Sequence, residues 1–230
     1  MNELFRFPRT PHLAWLGPGS PRDDKLLAPD EVDEMLAGEV VVEEKIDGAN
    51  LGLSAGAEAG EIQAQNRGTI LDFDHLHPQF RPLRQWLAMR RFQLHDALGP
   101  DLTIFGEWCY ATHSIVYTRL PDWFVLFDVF DRTSRRFWSV DRRNALARAL
   151  GLAVVPEVAR GRFDLNGIIG LLGPSAFTDG PAEGVYVRSE AEGWLVRRAK
   201  LVRAEFTQAI GEHWSAGPLR TNALASGLPR

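Results

Sequence analysis

Four short clusters of charged residues in this sequence combine side chains that could together move a phosphoryl group. A lysine amine becomes a nucleophile once it loses its proton. Carboxylates hold hard cations such as Mg²⁺, and arginines bind phosphate oxygens. The clusters are Glu44-Lys45-Ile46-Asp47-Gly48-Ala49-Asn50, Phe105-Gly106-Glu107, Glu183-Gly184-Val185-Tyr186-Val187-Arg188 and Arg197-Arg198-Ala199-Lys200.

Lysine is scarce in this chain, which makes the position of each lysine informative. The 26 lysines and arginines include only three lysines, namely Lys25, Lys45 and Lys200. Arginine stays protonated at any working pH, whereas a lysine amine can be deprotonated and can then attack an electrophile. Biased codon usage could leave a few lysines anywhere, but two of the three lie in the charged clusters. This pattern favours Lys45 as a nucleophile.

Taken singly, each cluster has an ordinary structural explanation. A Lys-x-Asp-Gly run is typical of a hairpin turn, Phe-Gly-Glu of a strand end, and Arg-Arg-Ala-Lys of a solvated strand face. The order and spacing of the whole set are more informative than its members. Its lysines and glutamates lie 62, 76 and 17 positions apart, in the order Lys45, Glu107, Glu183, Lys200.

Strands and helices of ordinary length must position these clusters. Hydrophobic residues form 45% of the 230-residue chain and charged residues 24%, a normal globular composition. Apolar and β-branched runs predict strands at 40–46, 49–54, 61–66, 102–108, 123–130, 152–156, 184–188 and 194–199, the first three as an antiparallel meander. Helical spacing and end signals predict helices at 29–37, 78–98, 139–150, 165–172 and 203–214. Together they predict an α+β fold of antiparallel sheets with flanking helices.

The ordered clusters resemble the motifs of the covalent nucleotidyltransferase superfamily, which includes ATP-dependent DNA and RNA ligases and GTP-dependent capping enzymes. The similarity is greatest to nick-sealing RNA ligases and to small bacterial proteins grouped with them, which the runs at 7–13 and 106–117 also resemble. The resemblance implies the ATP-grasp-like nucleotidyltransferase (adenylation) domain of ligases. The matching runs are Lys45-Ile46-Asp47-Gly48 (motif I), Phe105-Gly106-Glu107 (motif III), Phe124 to Asp128 (motif IIIa), Glu183 to Arg188 (motif IV) and Arg198-Ala199-Lys200 (motif V).

The resemblance also implies a reaction. In this family a lysine takes AMP from ATP, the AMP passes to a 5′-phosphate, and a 3′-hydroxyl then displaces AMP and closes the strand. Lys45 would carry the AMP. Because the attacking amine must be neutral, we expect its pKa to fall from the ordinary value of about 10.4 through nearby cations, a metal or desolvation.

The resemblance assigns the other motif residues to ATP, to the substrate end and to metal. Arg198 stands where the family usually has lysine, and Phe127 could instead be a core residue of a hydrophobic strand. A hydrated Mg²⁺ or Mn²⁺ would be held by Asp47, Glu107 and Glu183. The remaining roles are Glu44 for adenine through its backbone, Phe127 for stacking on adenine, Glu107 for the ribose hydroxyls, Arg67, Arg198 and Lys200 for phosphate oxygens, and Asn50 for the 5′-phosphate end.

Residues after motif III could either contact a nucleic-acid end or form an ordinary loop rim. These are Tyr110, His113, Tyr117 and Arg119. The six histidines show no metal-binding spacing, and a single cysteine excludes a thiolate zinc site. Cys109 has no base signature beside it, so we expect it to be inert.

The expected organisation is a lead-in segment at 1–38, a nucleotidyltransferase domain at 39–215 and a tail at 216–230. We find no Arg-x-Asp-Lys motif VI and expect no oligonucleotide-binding-fold domain, which favours an RNA ligase over a DNA ligase or capping enzyme. The alternatives are an ATP-dependent DNA nick ligase and a non-sealing nucleotide-binding subunit of a repair complex. Expected partners are RNA ends or nicks, an RNA–DNA hybrid, and an end-healing or repair protein.

Two whole-chain features limit where and how the protein works. There is no apolar run of about 18 residues and no apolar signal region, so we expect a cytoplasmic protein without a membrane span. The net charge of −4 gives no general attraction to nucleic acid. Any polynucleotide must therefore be held by a local basic patch.

Overall fold

The computed structural model describes residues 4–19, 26–208 and 218–226. Two sheets lie face to face with helices on their outer sides, which confirms the predicted α+β class. The strands are β1 (Val40–Lys45), β2 (Ala49–Ala55), β3 (Ile62–Gln65), β4 (Leu102–Trp108), β5 (Phe124–Asp131), β6 (Arg136–Phe137), β7 (Ala153–Val154), β8 (Glu157–Gly161), β9 (Gly184–Ala191) and β10 (Trp194–Val202). The helices are α1 (Pro29–Leu36), α2 (Leu83–Ala88), α3 (Arg91–Leu98), α4 (Val140–Leu150), α5 (Leu165–Gly170) and α6 (Ala204–Gln208).

The first sheet has the strand order β10-β9-β1-β8, and all its neighbours are antiparallel. Val40 and Val42 of β1 are buried on its outer face, in a cluster that includes Ile168 of α5. Side chains alternate between the faces of a strand. Glu43 and Lys45 therefore point to the opposite, inner face, toward the second sheet.

The second sheet has the order β3-β2-β4-β5-β6, and β7 adds a short parallel pairing to β5. Leu53, Ile104 and Leu126 lie on its outer face, buried with Trp86 of α2 and Leu94 of α3. The inner face of β4 and β5 looks toward the first sheet. Each sheet thus buries its apolar face under helices and leaves its inner face for other chemistry.

The predicted meander of the first three strands is wrong, because β1 belongs to one sheet and β2 and β3 belong to the other. The chain crosses between the sheets at Ile46–Gly48. A Cβ added at Gly48 would lie 3.0 Å from both the Cys109 Sγ and the Trp108 carbonyl oxygen, so the crossing requires glycine. Local alternation predicts strands but not their sheet. Lys45 is consequently the last residue before the chain changes sheets.

The single helix predicted at 78–98 is also wrong. A 3-10 turn at Pro78–Phe80 is followed by α2 and α3 as separate helices. Pro82 precedes α2, and its ring and missing N–H oppose a helix continuing through that position. Arg90 interrupts the second half with φ −124°, and its guanidinium pairs with Asp122 at 3.1 Å. Because the helix does not continue through Pro82, the turn at residues 78–80 is free to lie beside the space between the sheets.

Segments at both ends of the chain pack on this frame. The Lys200 N–H donates to Pro11 O and the Leu13 N–H donates to Lys200 O, so the lead-in runs parallel beside β10. The side chain of Asn222 joins the loop after β4 to the tail. Of the helix predicted at 203–214, α6 accounts for the described part, and residues 209–214 lie outside the described residues. None of the helices in the described ranges is long and apolar enough to cross a membrane.

Candidate active site

A cleft of about 520 Å³ opens between the two inner faces at the point where the chain crosses between the sheets. Its walls come from β1, β2, β4, β9 and β10, from the loop after β3 and from the turn at 78–80. Six residues predicted from the motifs line it, namely Lys45, Asn50, Arg67, Glu107, Glu183 and Lys200. The structure therefore gathers residues from four separate motifs around one space.

Lys45 forms an ion pair with Glu183 inside this cleft. Its ammonium also lies 5.9 Å from the centre of the Tyr186 ring. Burial lowers the pKa of Lys45, but Glu183, Tyr186, Asp47 and Glu107 raise it, and the net shift is upward. The expected fall of the Lys45 pKa is thus not found without ATP. In this state Lys45 is a charged ammonium held against its counter-ion.

Glu107 and Asn50 face each other across β4 and β2, where they are directly paired in register. Within the described residues, one buried oxygen on each, Glu107 Oε2 and Asn50 Oδ1, has no hydrogen-bond partner. Burial raises the pKa of Glu107 to about 8, opposed by Lys45 and Arg67. Buried polar atoms in folded proteins are almost always satisfied. These two oxygens therefore mark positions prepared for a ligand.

Asp47 reaches the site from the crossing segment but is already bound to the loop after β4. Its Oδ2 accepts the N–H groups of Ser114 at 2.6 Å and Ile115 at 3.2 Å. Its own N–H donates to the Tyr117 hydroxyl at 2.8 Å, and His113 Nδ1 lies 4.0 Å from its other oxygen. Across the described part of the chain, no three acidic, histidine or cysteine side chains converge to hold a metal ion directly. Asp47, Glu107 and Glu183 are neighbours here rather than one ligand cage.

Glu44 lies on the other face of β1, away from the cleft. Its carboxylate accepts hydrogen bonds from the Ser175 hydroxyl at 2.5 Å and the Ala176 N–H at 2.9 Å. Its backbone N–H, which the resemblance suggested for adenine, donates to Pro156 O at 2.9 Å. In this structure Glu44 fixes the segment at 175–176 to β1.

Arg198 and Phe127 lie deeper between the sheets and do not line the cleft. Arg198 forms an ion pair with Asp128, and its guanidinium lies 4.4 Å from the centre of the Phe7 ring. Phe127 is buried edge-on against Phe7, at a centroid distance of 5.3 Å. Phe127 therefore occupies a core position, which was the alternative to stacking on adenine. Its contact with adenine, like the phosphate contact of Arg198, stays a prediction.

The loop after β4 does not form a free rim. Tyr117 is buried and holds the crossing segment, and Arg119 donates to Asp179, Thr178 O and Ala176 O. His113 Nε2 lies 3.1 Å from Gln79 Oε1. Cys109 is buried, and burial raises the pKa of its thiol well above the ordinary value, consistent with an inert thiol.

Seven further residues line the cleft without having been assigned a role, and they include Gln79, Phe80 and Tyr186. Tyr186 could have been predicted from the sequence, because it lies on the same face of β9 as Gly184 and Arg188. It also pairs in register with Lys200. Gln79 and Phe80 carry no such signal. They approach Lys45 only because the 3-10 turn packs against the cleft from a distant part of the chain.

Comparison with known proteins agrees with the cleft and its lining residues. The sequence model of the RNA ligase family matches residues 38–202. No curated protein matches the chain in sequence. Residues 38–202 include all five motif clusters, so the resemblance drawn from the motifs is confirmed.

Solved structures of Naegleria gruberi RNA ligase share the fold. The form with pyrophosphate has a TM-score of 0.62 and 18% identity, over 78% of this chain and 54% of that one. A lysine-to-alanine variant with ATP and manganese has a TM-score of 0.62 and 16% identity, over 88% and 63%. A lysine-to-methionine variant with AMP and manganese has a TM-score of 0.59 and 15% identity, over 88% and 63%.

The chain spans between about half and two thirds of the length of those ligases. At these identities the likeness establishes the fold, and the family match covers most of the sequence. The chain belongs to the RNA ligase family.

Proposed function

We propose that this protein is an ATP-dependent RNA ligase that joins 5′-phosphate and 3′-hydroxyl ends through a lysine–AMP intermediate at Lys45. One observation carries the proposal. Lys45 and Lys200, two of the three lysines in the chain, line one cleft together with an unpartnered Glu107 oxygen. An amine, a second cation and a carboxylate in one cleft are the groups that nucleotidyl transfer requires.

ATP occupies the cleft in this proposal, as ATP or AMP with manganese does in the Naegleria ligase structures. The buried Oε2 of Glu107 accepts a ribose hydroxyl or a metal-bound water. Lys200 and Arg67 supply positive charge to the phosphate oxygens. Asn50 Oδ1 lies beside Glu107 and serves the incoming 5′-phosphate end.

A divalent metal fits the acidic side of the cleft. Glu107 and Glu183 would hold it, with Asp47 adding negative charge from the crossing segment. Hard cations prefer carboxylate oxygens and keep several waters, so direct coordination by all three groups is not needed. When bound, the metal stabilises negative charge on the phosphate oxygens.

The first step starts from the charged Lys45–Glu183 pair. Glu183 is in place to take the proton, and burial raises the pKa of this carboxyl against the opposing effect of Lys45. The neutral Lys45 amine attacks the α-phosphorus, an N–P bond forms, and the bond to the bridging oxygen breaks to release pyrophosphate. In the later steps the AMP passes to a 5′-phosphate, and a 3′-hydroxyl displaces it. An end-healing or repair protein as partner remains a prediction.

The number of lysines makes the nucleophile easy to test. With labelled ATP and Mg²⁺, the wild-type protein should become labelled. Lys45→Arg should not, because arginine keeps the charge but cannot lose its proton. Lys25→Arg is the matched control and should label like wild type. Labelling of Lys45→Arg would show that another residue is the nucleophile.

Matched nicked duplexes then separate the candidate activities. The proposal predicts sealing of RNA by the labelled wild-type protein. Sealing of DNA alone would favour the DNA nick ligase. Failure to form any protein–AMP adduct would favour a non-sealing nucleotide-binding subunit.

A further inference from the structure

A second cavity, of about 360 Å³, lies at the other end of the space between the sheets. Three arginines and two phenylalanines form most of its lining, and among the described residues no carboxylate lines it. The lining residues are Leu4, Phe5, Arg6, Phe130, Arg132 and Arg135. A cavity with several guanidinium groups and no lining acid is suited to an anion.

A hydrogen bond fixes one arginine of this cavity, and the backbone conformation of a second is restricted. Arg132 Nε donates to the Thr103 hydroxyl at 2.9 Å. Arg135 lies in the turn between β5 and β6 at φ +55°, in the left-handed region. Asp131 and Asp101 belong to the same region, but they accept hydrogen bonds from the Ser134 N–H and the Thr133 hydroxyl.

Arg6 is presented by an anchored N-terminal segment. The Phe5 ring stacks on Phe130 at a centroid distance of 3.6 Å, and Gln65 donates to Phe5 O at 2.8 Å. Phe7 is buried against Phe105 at 4.9 Å. Because side chains alternate along an extended segment, Arg6 points outward between the two rings.

The cavity is connected to the Lys45 cleft along one side of the molecule. A Cβ added at Gly68 would lie 3.4 Å from Arg6 Nε, so the Arg6 side chain runs alongside the loop after β3. The same loop places Arg67 in the cleft, and its carbonyl oxygen accepts the Phe7 N–H at 3.1 Å. Arg67, Arg6 and the cavity therefore form a basic track that leads away from Lys45.

The length of this track suits a polynucleotide. Thr103, beside the cavity, and Glu107, in the cleft, lie on the same face of β4 and four residues apart, which is about 13 Å at about 3.3 Å per residue. A span of this length is enough for more than one backbone phosphate of a polynucleotide strand. The net charge of −4 also means that nucleic acid must be held by local basic sites such as this one.

We propose that the cavity formed by Arg6, Arg132 and Arg135 binds a backbone phosphate of the polynucleotide strand whose end lies at Lys45. This inference rests on the proposed function and names the surface that holds the substrate. The guanidinium fork matches two phosphate oxygens. The same chemistry could bind phosphate from a free nucleotide, and the experiment separates the two sources.

The test compares two charge-matched double variants. Arg6→Gln with Arg135→Gln removes exposed cations from the cavity and leaves Arg132 in its contact with Thr103. Arg91→Gln with Arg148→Gln removes two exposed cations from α3 and α4, on the outer side of the second sheet. Both should keep the wild-type rate of AMP adduct formation and the wild-type KM for ATP.

Affinity for a nicked RNA duplex and the rate of sealing should fall at least about 10-fold in the cavity variant only. Its plot of log affinity against log salt should be less steep by about 1, because each neutralised phosphate contributes about 0.9. Unchanged RNA affinity, or an equal loss in the control variant, would overturn the inference. A raised KM for ATP would also overturn it, since the cavity would then take nucleotide phosphate. A wild-type protein that forms no adduct contradicts the proposed function, whereas the RNA affinities still test the cavity.

Discussion

The space between the two sheets has an open half and a sealed half, and both contain charged side chains. The open half is the Lys45 cleft. The sealed half contains Glu43, Asp128, Arg143, Arg188 and Arg198, packed beside the rings of Phe5, Phe7, Phe105, Phe130 and Phe137. Strands β1 and β10 supply charges to both halves, Lys45 and Lys200 to the open one and Glu43 and Arg198 to the sealed one, whereas Arg143 comes from α4.

Each of these charged side chains in the sealed half has an ion-pair partner. Glu43 holds Arg143 through two hydrogen bonds of 2.6 and 3.1 Å, and Asp128 accepts from both Arg188 and Arg198. In the open half, by contrast, Glu107 retains an unpartnered buried oxygen within the described part of the chain. Satisfied charges fix the two sheets together, while the unsatisfied oxygen leaves room for a ligand. The comparison teaches that neighbouring residues of one strand can serve structure and chemistry separately.

The largest expected effect is on stability in the sealed half. Glu43→Gln should lower the free energy of unfolding by about 3–5 kcal/mol, because Arg143 would stay buried without its counter-ion. Glu183→Gln in the open half should lower it by less than Glu43→Gln does, since its partner Lys45 keeps the carboxylates of Asp47 and Glu107 nearby. Urea unfolding of both variants makes the measurement. Equal losses would remove the distinction between the halves.

A catalytic effect is expected next, in the open half. Glu107→Gln keeps the shape of the side chain but replaces one carboxyl oxygen with an amide nitrogen, which can neither accept a ribose hydroxyl nor hold a metal ion. We expect AMP adduct formation to slow by about 100-fold, equivalent to about 2.7 kcal/mol of barrier. Single-turnover labelling measures the rate, and Glu58→Gln on an exposed turn is the control. A wild-type rate in Glu107→Gln would contradict the role given to this carboxylate.

Substitution of Asn222, which fixes the loop that forms one wall of the open half, should lower both stability and activity. Asn222 Nδ2 donates to Cys109 O at 2.8 Å and to Ala111 O at 3.1 Å, and its Oδ1 accepts the Tyr117 N–H at 2.9 Å. Asn222→Ala should lower the free energy of unfolding by about 1–3 kcal/mol, because buried backbone groups lose their partners. Adduct formation should slow as well, since the same loop holds Asp47. Thermal and urea unfolding measure the stability, and labelling with ATP measures adduct formation. Wild-type values in both would show that the tail covers the loop without supporting it.

A further expected effect is a pH dependence of stability. Burial raises the pKa of Glu107 to about 8, above its ordinary value. Between these values the native state binds more protons than the unfolded state, so Glu107 makes the free energy of unfolding fall as the pH rises. The slope is at most about 1.4 kcal/mol per pH unit. Glu107→Gln should flatten the curve between pH 5.5 and 8. An identical curve for wild type and variant would contradict the raised pKa.

Several elements could be predicted because local sequence fixes them. Ser139 caps α4 by accepting the Arg142 N–H, and Gly151 ends it at φ +62°. The β9–β10 hairpin turns at Glu192 and Gly193, both at positive φ. By contrast, β8 was missed, because this edge strand is mostly exposed and has little apolar patterning.

The residues that line the site could be predicted from the sequence, but the ion pairs between them could not. Order and spacing identified Lys45, Glu107 and Glu183, which line one cleft. The sequence could not indicate that Arg198 pairs with Asp128, because that contact depends on two sheets facing each other. The run Arg197 to Lys200 is typical of a solvated face, yet Arg198 is largely buried between the sheets. Placement across sheets is a tertiary property, and no periodicity within one strand contains it.

The central claim is that Lys45, alone among three lysines, takes AMP from ATP. Mass spectrometry of the intact protein after incubation with ATP and Mg²⁺, followed by peptide mapping, tests it most directly. We expect one added AMP per chain, located on the peptide that contains Lys45 and absent from Lys45→Arg. An unmodified protein, or AMP on the peptide that contains Lys25 or Lys200, would contradict it.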